Sequence, residues 1–219
     1  MKTPLSTKSM YIVFEGVIGS GKSTQTKLLA NYFKEHYPKK QVITTNEPGG
    51  SEIANEIRRT VQGTHIKEDM EPVCEAYLYA SSRAQTLRAV VKPVLDKGGV
   101  VVADRSFCSS LANQAFGRKL GIKAVWEINK PAVGGIMPDL IFFIDTNITT
   151  GIKRSFDKEG DKFESLGKAF YTKIQQGYFE LAKLPFLKKR YVIIYGNKSI
   201  AEVHADIIDQ INKRLKLKS

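Results

Sequence analysis

Lys22 and Ser23 close the run Gly16-Val17-Ile18-Gly19-Ser20-Gly21-Lys22-Ser23, whose spacing matches the phosphate-binding signature G-x-x-x-x-G-K-[ST]. Polyphosphate needs many donors converging in a small space, and backbone N–H groups at a helix N-terminus supply them when nothing blocks close approach. Gly16, Gly19 and Gly21 remove the Cβ atoms that would block it, and Ser20 and Thr24 complete the cradle. Lys22 would reach the β- and γ-phosphates as a mobile charge, and Ser23 would put its hydroxyl on Mg²⁺. The residues therefore point to a nucleoside triphosphate. The plainer alternative is a glycine-rich turn before a helix, with Lys22 solvated.

Two further groups could serve the molecule that receives a phosphoryl group. Asp104-Arg105-Ser106 follows the apolar run Val100–Ala103. At the carboxyl end of a central strand, where open α/β sheets bind ligands, Asp104 would hold Mg²⁺ through water and Arg105 would grip an acceptor phosphate in bidentate fashion. A surface ion pair at a strand end is the competing use. Tyr79 and Arg83 stand four apart on a helical pattern and so share a face. Stacking a base with an arginine reaching its carbonyl is one use of that pair; core packing beside a solvated arginine is the other.

The elements that must position these groups are legible as short apolar runs at Tyr11–Phe14, Gln41–Thr45, Val100–Ala103, Leu140–Ile144 and Tyr191–Tyr195. They are continuous rather than alternating and are separated by helical patterns, the mark of a parallel sheet covered on both faces. The expected architecture is a three-layer α/β domain: a five-stranded parallel sheet flanked by helices, one domain with no dividing linker. Helical patterns run from Lys22 to about Tyr37, from Ser51 as an N-cap, and from about Pro72 to Lys97, where Pro93 is expected to kink or divide the helix. Others cover roughly Ser109–Phe116, Ile122–Ala132, Thr149–Phe156, Glu164–Leu184 and Ile200–Leu217.

Composition excludes several classes. The 219 residues, 42% hydrophobic, suffice for one well-buried domain, and no apolar run is long enough to span a bilayer. Residues 1–9 are polar, read as a loose tail without a signal-peptide core, and a cytoplasmic protein is expected. Cys74 and Cys108, like His36, His65 and His204, fit no metal spacing. The formal charge of +12 is concentrated partly in Lys188, Lys189, Arg190, Lys213, Arg214, Lys216 and Lys218. These fall on a helix face or tail and read as solvated surface; without basic and aromatic residues interleaved to stack bases, no nucleic-acid partner is expected.

Taken together, the motifs resemble the thymidylate kinase family, P-loop nucleoside monophosphate kinases that make dTDP from dTMP and ATP. The match extends from Phe14-Glu15-Gly16 through Glu47-Pro48-Gly49-Gly50, Arg83-Ala84-Gln85, Asp104-Arg105, Ser109-Ser110-Leu111-Ala112 with Gln114, Gly117-Arg118, and Pro138-Asp139 with Asp145, to Ser199-Ile200-Ala201-Glu202-Val203. The resemblance implies the P-loop NTPase fold, ATP and Mg²⁺ as cofactors, dTMP as substrate and a homodimer. It places Tyr79 on the base, Arg83 at a base carbonyl, Gln114 at the base edge, Arg105 on the acceptor phosphate, and Ser109, Glu47 and Pro48 on the acceptor side. Residues 154–164 resemble the lid that closes over ATP. The phosphate loop carries no arginine, so the resemblance implies a lid cation as catalytic charge, with Arg154, Lys158 and Lys162 as candidates. Arg154 is favoured because a planar guanidinium suits bridging phosphates.

Three positions depart from the family pattern. Ile18 stands where a carboxylate meets the sugar 3′-hydroxyl, Asn113 where a tyrosine lies beside the deoxyribose, and Asn46 where an arginine often assists the acceptor phosphate. All three lie on the acceptor side, which is consistent with a changed or relaxed acceptor. The rival expectation is a deoxynucleoside kinase, with Glu47 as the base for a sugar 5′-hydroxyl. A nucleotide-binding regulatory protein is a third reading, and a nucleic-acid binder driven by charge a fourth.

Overall fold

The computed structural model describes residues 9–63, 65–155 and 167–215. Five parallel strands, β1 (Met10–Glu15), β2 (Val42–Asn46), β3 (Val100–Asp104), β4 (Leu140–Asp145) and β5 (Tyr191–Tyr195), form one sheet in the order β2-β3-β1-β4-β5. Each lies within a residue of its expected position at either end.

Burial on both faces explains the continuous apolar runs. Along β1, Tyr11 and Val13 join one core while Met10, Ile12 and Phe14 join the other. The second core is closed by Leu29, Ala30 and Phe33 of α1 (Lys22–His36) and by Val203, Ile207 and Ile211 of α9 (Ile200–Leu215). The first core is closed by Leu87, Val91 and Val94, which follow α3 (Pro72–Thr86), and by α5 (Phe107–Ser110), α6 (Ile122–Val133) and α8 (Gly167–Leu181). This is the expected three-layer arrangement.

The long helical pattern ending near Lys97 is divided as Pro93 requires. A π-helical segment, Leu87–Val91, separates α3 from the short α4 (Lys92–Asp96). Proline donates no N–H to the preceding turn, and a widened turn absorbs the mismatch. The helix expected at Ser109–Phe116 is also irregular: α5 gives way to π-helical Leu111–Gly117. Ser51 caps α2 (Glu52–Gln62), its hydroxyl accepting from the Ala54 N–H at 3.3 Å. α7 (Ile148–Ser155) follows β4, and no helix among the described residues is long and apolar enough to cross a membrane.

Strand register gathers the chemistry. Phe14 pairs with Asp104, and Asn46 pairs with Asp104 from the other side. The segments after β1, β2 and β3 therefore leave the sheet together, bringing Gly16, Glu47 and Arg105 to one edge.

Candidate functional site

The phosphate loop links β1 to α1. Gly21 at the N-cap has φ 92, a left-handed conformation that glycine adopts without strain, and α1 has neither a side-chain cap nor an acidic residue in its first turn. Its leading N–H groups are thus oriented for an anion. At Gly19 the structure adds a reason for glycine beyond room for phosphate. A Cβ there would lie 1.9 Å from the carbonyl oxygen of Gly151, so α7 rests directly on the loop. Lys22 reaches across, its Nζ donating to Val17 O at 2.7 Å and Ser20 Oγ at 3.2 Å. Burial, with the Arg105 charge, pulls the Lys22 ammonium down to about 7, against the opposing Asp104 and Glu15 charges.

Ser23 Oγ donates to Asp104 Oδ2 at 2.5 Å, joining the first turn of α1 to the end of β3. Asp104 Oδ1 is buried and has no hydrogen-bond partner among the described residues. A hydroxyl beside a carboxylate with one oxygen uncommitted is a hard, all-oxygen donor set, which suits magnesium.

Arg105 adopts φ 74, a left-handed conformation costing a non-glycine residue about 1–3 kcal/mol. The surroundings enforce it. Its N–H donates to Phe14 O at 2.8 Å, while its Nη1 donates to Gly16 O at 3.0 Å, Ser109 Oγ at 3.1 Å and Tyr178 Oη at 3.3 Å. Beneath lies Glu15, fully buried, which accepts from Ser106 N at 2.8 Å, Ser106 Oγ at 2.7 Å, Ser109 Oγ at 2.6 Å and Tyr178 Oη at 3.1 Å. Burial pushes the Glu15 carboxyl upward, and the serine donors oppose it. This network anchors Arg105 at the base of the cleft.

The cleft encloses ≈ 660 Å³ and runs from the phosphate loop past Asp104 and Arg105 to Tyr79 and Gln114. Tyr79 is half-buried, its hydroxyl accepting from Gln62 Nε2 at 3.2 Å. Gln114 is buried and lines the cleft from the π-helical turn; its Nε2 donates to Glu75 Oε1 at 2.9 Å. Pro48 turns its carbonyl to Asn46 Nδ2 and Arg58 Nη1, each at 2.8 Å. Ile18, Asn46 and Asn113, the three departures, all line this cleft. Asn113 directs its Nδ2 to Ser109 O at 2.6 Å.

The resemblance places Arg83 at a base carbonyl, and the structure adds the contacts that its guanidinium makes within the protein. Only 2% exposed, it lies beneath the cleft rather than lining it, and its donors go to protein acceptors. Its Nε donates to Glu47 Oε2 at 2.6 Å, its Nη2 to Ser106 O at 2.9 Å, and its Nη1 to Ser110 Oγ at 3.1 Å and to Asn129 Oδ1. Of the two sequence alternatives, a solvated arginine does not describe this buried guanidinium, which fixes Glu47 from the floor. Glu47 itself is buried and lines the cleft with Oε1 unpartnered among the described residues; burial pushes its carboxyl up, against Arg83.

Arg154 lies exposed on α7, outside the cleft lining, one helical turn beyond Gly151. Lys158 and Lys162 lie outside the described residues, as does most of the expected lid.

Several residues of the site escaped the sequence reading. Glu15 carried a signal, a carboxylate ending an otherwise apolar strand. Arg58 had only its place on an amphipathic helix, and Tyr178, Asn129 and Glu75 had none, because they reach the site from helices distant in sequence.

Comparison with known proteins follows the same outline. The thymidylate kinase family model matches residues 14–207. The thymidylate kinase of Acholeplasma laidlawii is 41% identical over 209 residues, covering 94% of this chain and 100% of that protein. That of Thermoanaerobacter sp. strain X514 is 36% identical, covering 95% and 100% respectively. The crystal structure of thymidylate kinase from Ehrlichia chaffeensis superposes with a TM-score of 0.74 at 26% identity, covering 93% of this chain and 99% of that one.

Proposed function

The chain belongs to the thymidylate kinase family, and from that membership we propose that it phosphorylates dTMP to dTDP with ATP, as a nucleoside monophosphate kinase. One observation carries the assignment of the site: a phosphate loop and a rigidly held arginine stand at the ends of paired strands, on one cleft.

ATP occupies Gly16, Gly19, Ser20, Gly21, Lys22, Ser23 and Thr24, with Lys22 leaving its loop contacts for the β- and γ-phosphates. Arg105 and Ser109 receive the acceptor phosphate, and Tyr79, Gln114, Glu47 and Pro48 line the remainder of the acceptor cleft. Ser23 and Asp104 would hold Mg²⁺, which when bound draws charge from the transferring phosphates. An anionic oxygen of the acceptor phosphate attacks the γ-phosphorus as the bond to the β–γ bridging oxygen breaks, giving ADP and a new anhydride. That nucleophile has no proton to lose at neutral pH, so the reaction requires positioning and charge rather than a base. Arg154, exposed on α7, supplies further positive charge for the transferring phosphates.

Arg83 acts from below, holding Glu47 in place. The three departures fall on the acceptor side and leave Lys22, Ser23, Asp104 and Arg105 in place. The chain is one kinase domain of the cytoplasm. Dimerisation through a face of α3 is supported by Val73 and Tyr77, one turn apart and 50% and 58% exposed.

The deoxynucleoside kinase alternative gains no support from the relatives compared. Phosphorus NMR separates the two chemistries directly: with ATP and dTMP the expected product signal is that of a diphosphate anhydride. Formation of a monophosphate ester from thymidine, without turnover of dTMP, would replace this assignment with the alternative.

A further inference from the structure

Gln114 presents an amide whose two ends differ in what they can recognise, and the protein determines which end faces the cleft. Its nitrogen donates to Glu75 Oε1 at 2.9 Å. Its oxygen is buried, without a hydrogen-bond partner among the described residues, in a side chain only 1% exposed that lines the cleft. Glu75 is itself fully buried on α3, and its carboxylate is held by Arg118, with Nη2 on Oε2 at 2.9 Å and Nε on Oε1 at 3.3 Å. Arg118 is braced in turn against the Phe170 ring, 5.5 Å from its centroid.

A carboxylate paired with a guanidinium offers acceptors only. Rotating the Gln114 amide by half a turn would set its carbonyl oxygen against Glu75 Oε1 and leave its buried NH₂ facing the cleft. The Arg118–Glu75 pair therefore holds one of two nearly isosteric orientations, with the carbonyl toward the ligand. We propose that Glu75 and Arg118 are specificity-determining positioning residues: by fixing the Gln114 amide they make the cleft accept a base whose ring nitrogen carries a hydrogen. Thymine and uracil carry that N–H at N3. Cytosine presents a lone pair there, and two acceptors would face one another.

This inference rests on the assignment of the cleft as the dTMP site, and goes beyond it in naming residues that need touch no substrate. It is tested by kcat/KM for dTMP and for 5-methyl-dCMP, which keeps the ring methyl but reverses the hydrogen bonding at N3. The wild-type protein should favour dTMP. Glu75→Gln gives the Gln114 amide a neighbour that both donates and accepts, so both orientations become available. The preference for dTMP should fall about ten- to a hundredfold, through the acceptor KM, with the KM for ATP unmoved. The exchanged pair E75Q/Q114E places an acceptor toward the cleft again and should restore most of the preference, which a merely structural role for Glu75 would not do.

An unchanged dTMP preference in E75Q would overturn the inference while leaving the dTMP assignment intact; absence of dTMP turnover in the wild type would overturn both. Should E75Q fail to fold, the wild type still decides with N3-methyl-dTMP, which lacks the hydrogen. A kcat/KM equal to that of dTMP would overturn the inference, and a large loss would support it.

Discussion

At Lys22 the surroundings create a charge that is easily lost. Burial and Arg105 bring its ammonium to about 7, so at higher pH the nucleotide-free loop favours the neutral amine, whereas bound phosphate favours the cation. Triphosphate binding should therefore take up a proton above pH 7, about one at roughly pH 8.5, and affinity should weaken as pH rises through that range. More than about a unit below 7 the lysine is charged in both states and its contribution to the pH dependence fades. Calorimetry in buffers of different ionisation enthalpy measures the uptake, which Lys22→Met should abolish together with transfer. Arg105→Ala should raise the acceptor KM while sparing nucleotide binding to the phosphate loop, and an unchanged acceptor KM would refute its assignment. Arg83 makes a separate prediction. Its buried pair with Glu47 means that Arg83→Met leaves a carboxylate uncompensated and should cost about 3–5 kcal/mol of stability, read from urea unfolding. Sequence spacing identified the Tyr79/Arg83 pair but could not tell a base contact from a support, because the deciding partners, Glu47, Ser110 and Asn129, lie on other elements.

The elements were largely legible because a parallel sheet covered on both faces demands apolar strands, and β1, β3, β4 and β5 are mainly apolar, while β2, at the sheet edge, carries Thr44, Thr45 and Asn46. Less legible were the π-helical turns at Leu87–Val91 and Leu111–Gly117, since a widened turn leaves the apolar pattern almost unchanged. The second matters for function, carrying Asn113 and Gln114 into the cleft. Also hidden was the contact of α7 with the phosphate loop, made by two glycines more than 130 residues apart. A Cβ at Gly151 would lie 2.5 Å from Ile18 O. Gly151→Ala should favour the helix by up to about 1 kcal/mol but displace the loop, at a cost of about 1–3 kcal/mol. The expected net result is roughly five- to a hundredfold weaker ATP binding with helix content retained. Undiminished affinity would show that α7 does not constrain the loop.

On the scale of the whole molecule, two cores clamp one sheet, and the site lies where the strands leave it, so the chemistry borrows its rigidity from both layers. Because ATP and acceptor groups come from α1, α3 and the ends of β1, β2 and β3, occupied ligand sites should stabilise the fold as a unit. A ligand at a hundred times its dissociation constant contributes about 2.7 kcal/mol, which should raise Tm by about 5–10 °C in thermal melts with a non-hydrolysable ATP analogue. Of the cations behind the formal charge of +12, Lys22, Arg83 and Arg105 belong to the site or its floor, whereas toward the C-terminus the exposed Lys213 pairs with Asp209 at 2.6 Å along α9, and Arg190 donates to Pro138 O at 2.5 Å. The central claim is that this cleft transfers phosphate from ATP to dTMP despite Ile18, Asn46 and Asn113. ADP formation with ATP and Mg²⁺ tests it most directly, measured against dTMP, the other nucleoside monophosphates and free thymidine. The account predicts the highest kcat/KM for dTMP; preference for thymidine or for another monophosphate, or no turnover with any acceptor, would contradict it.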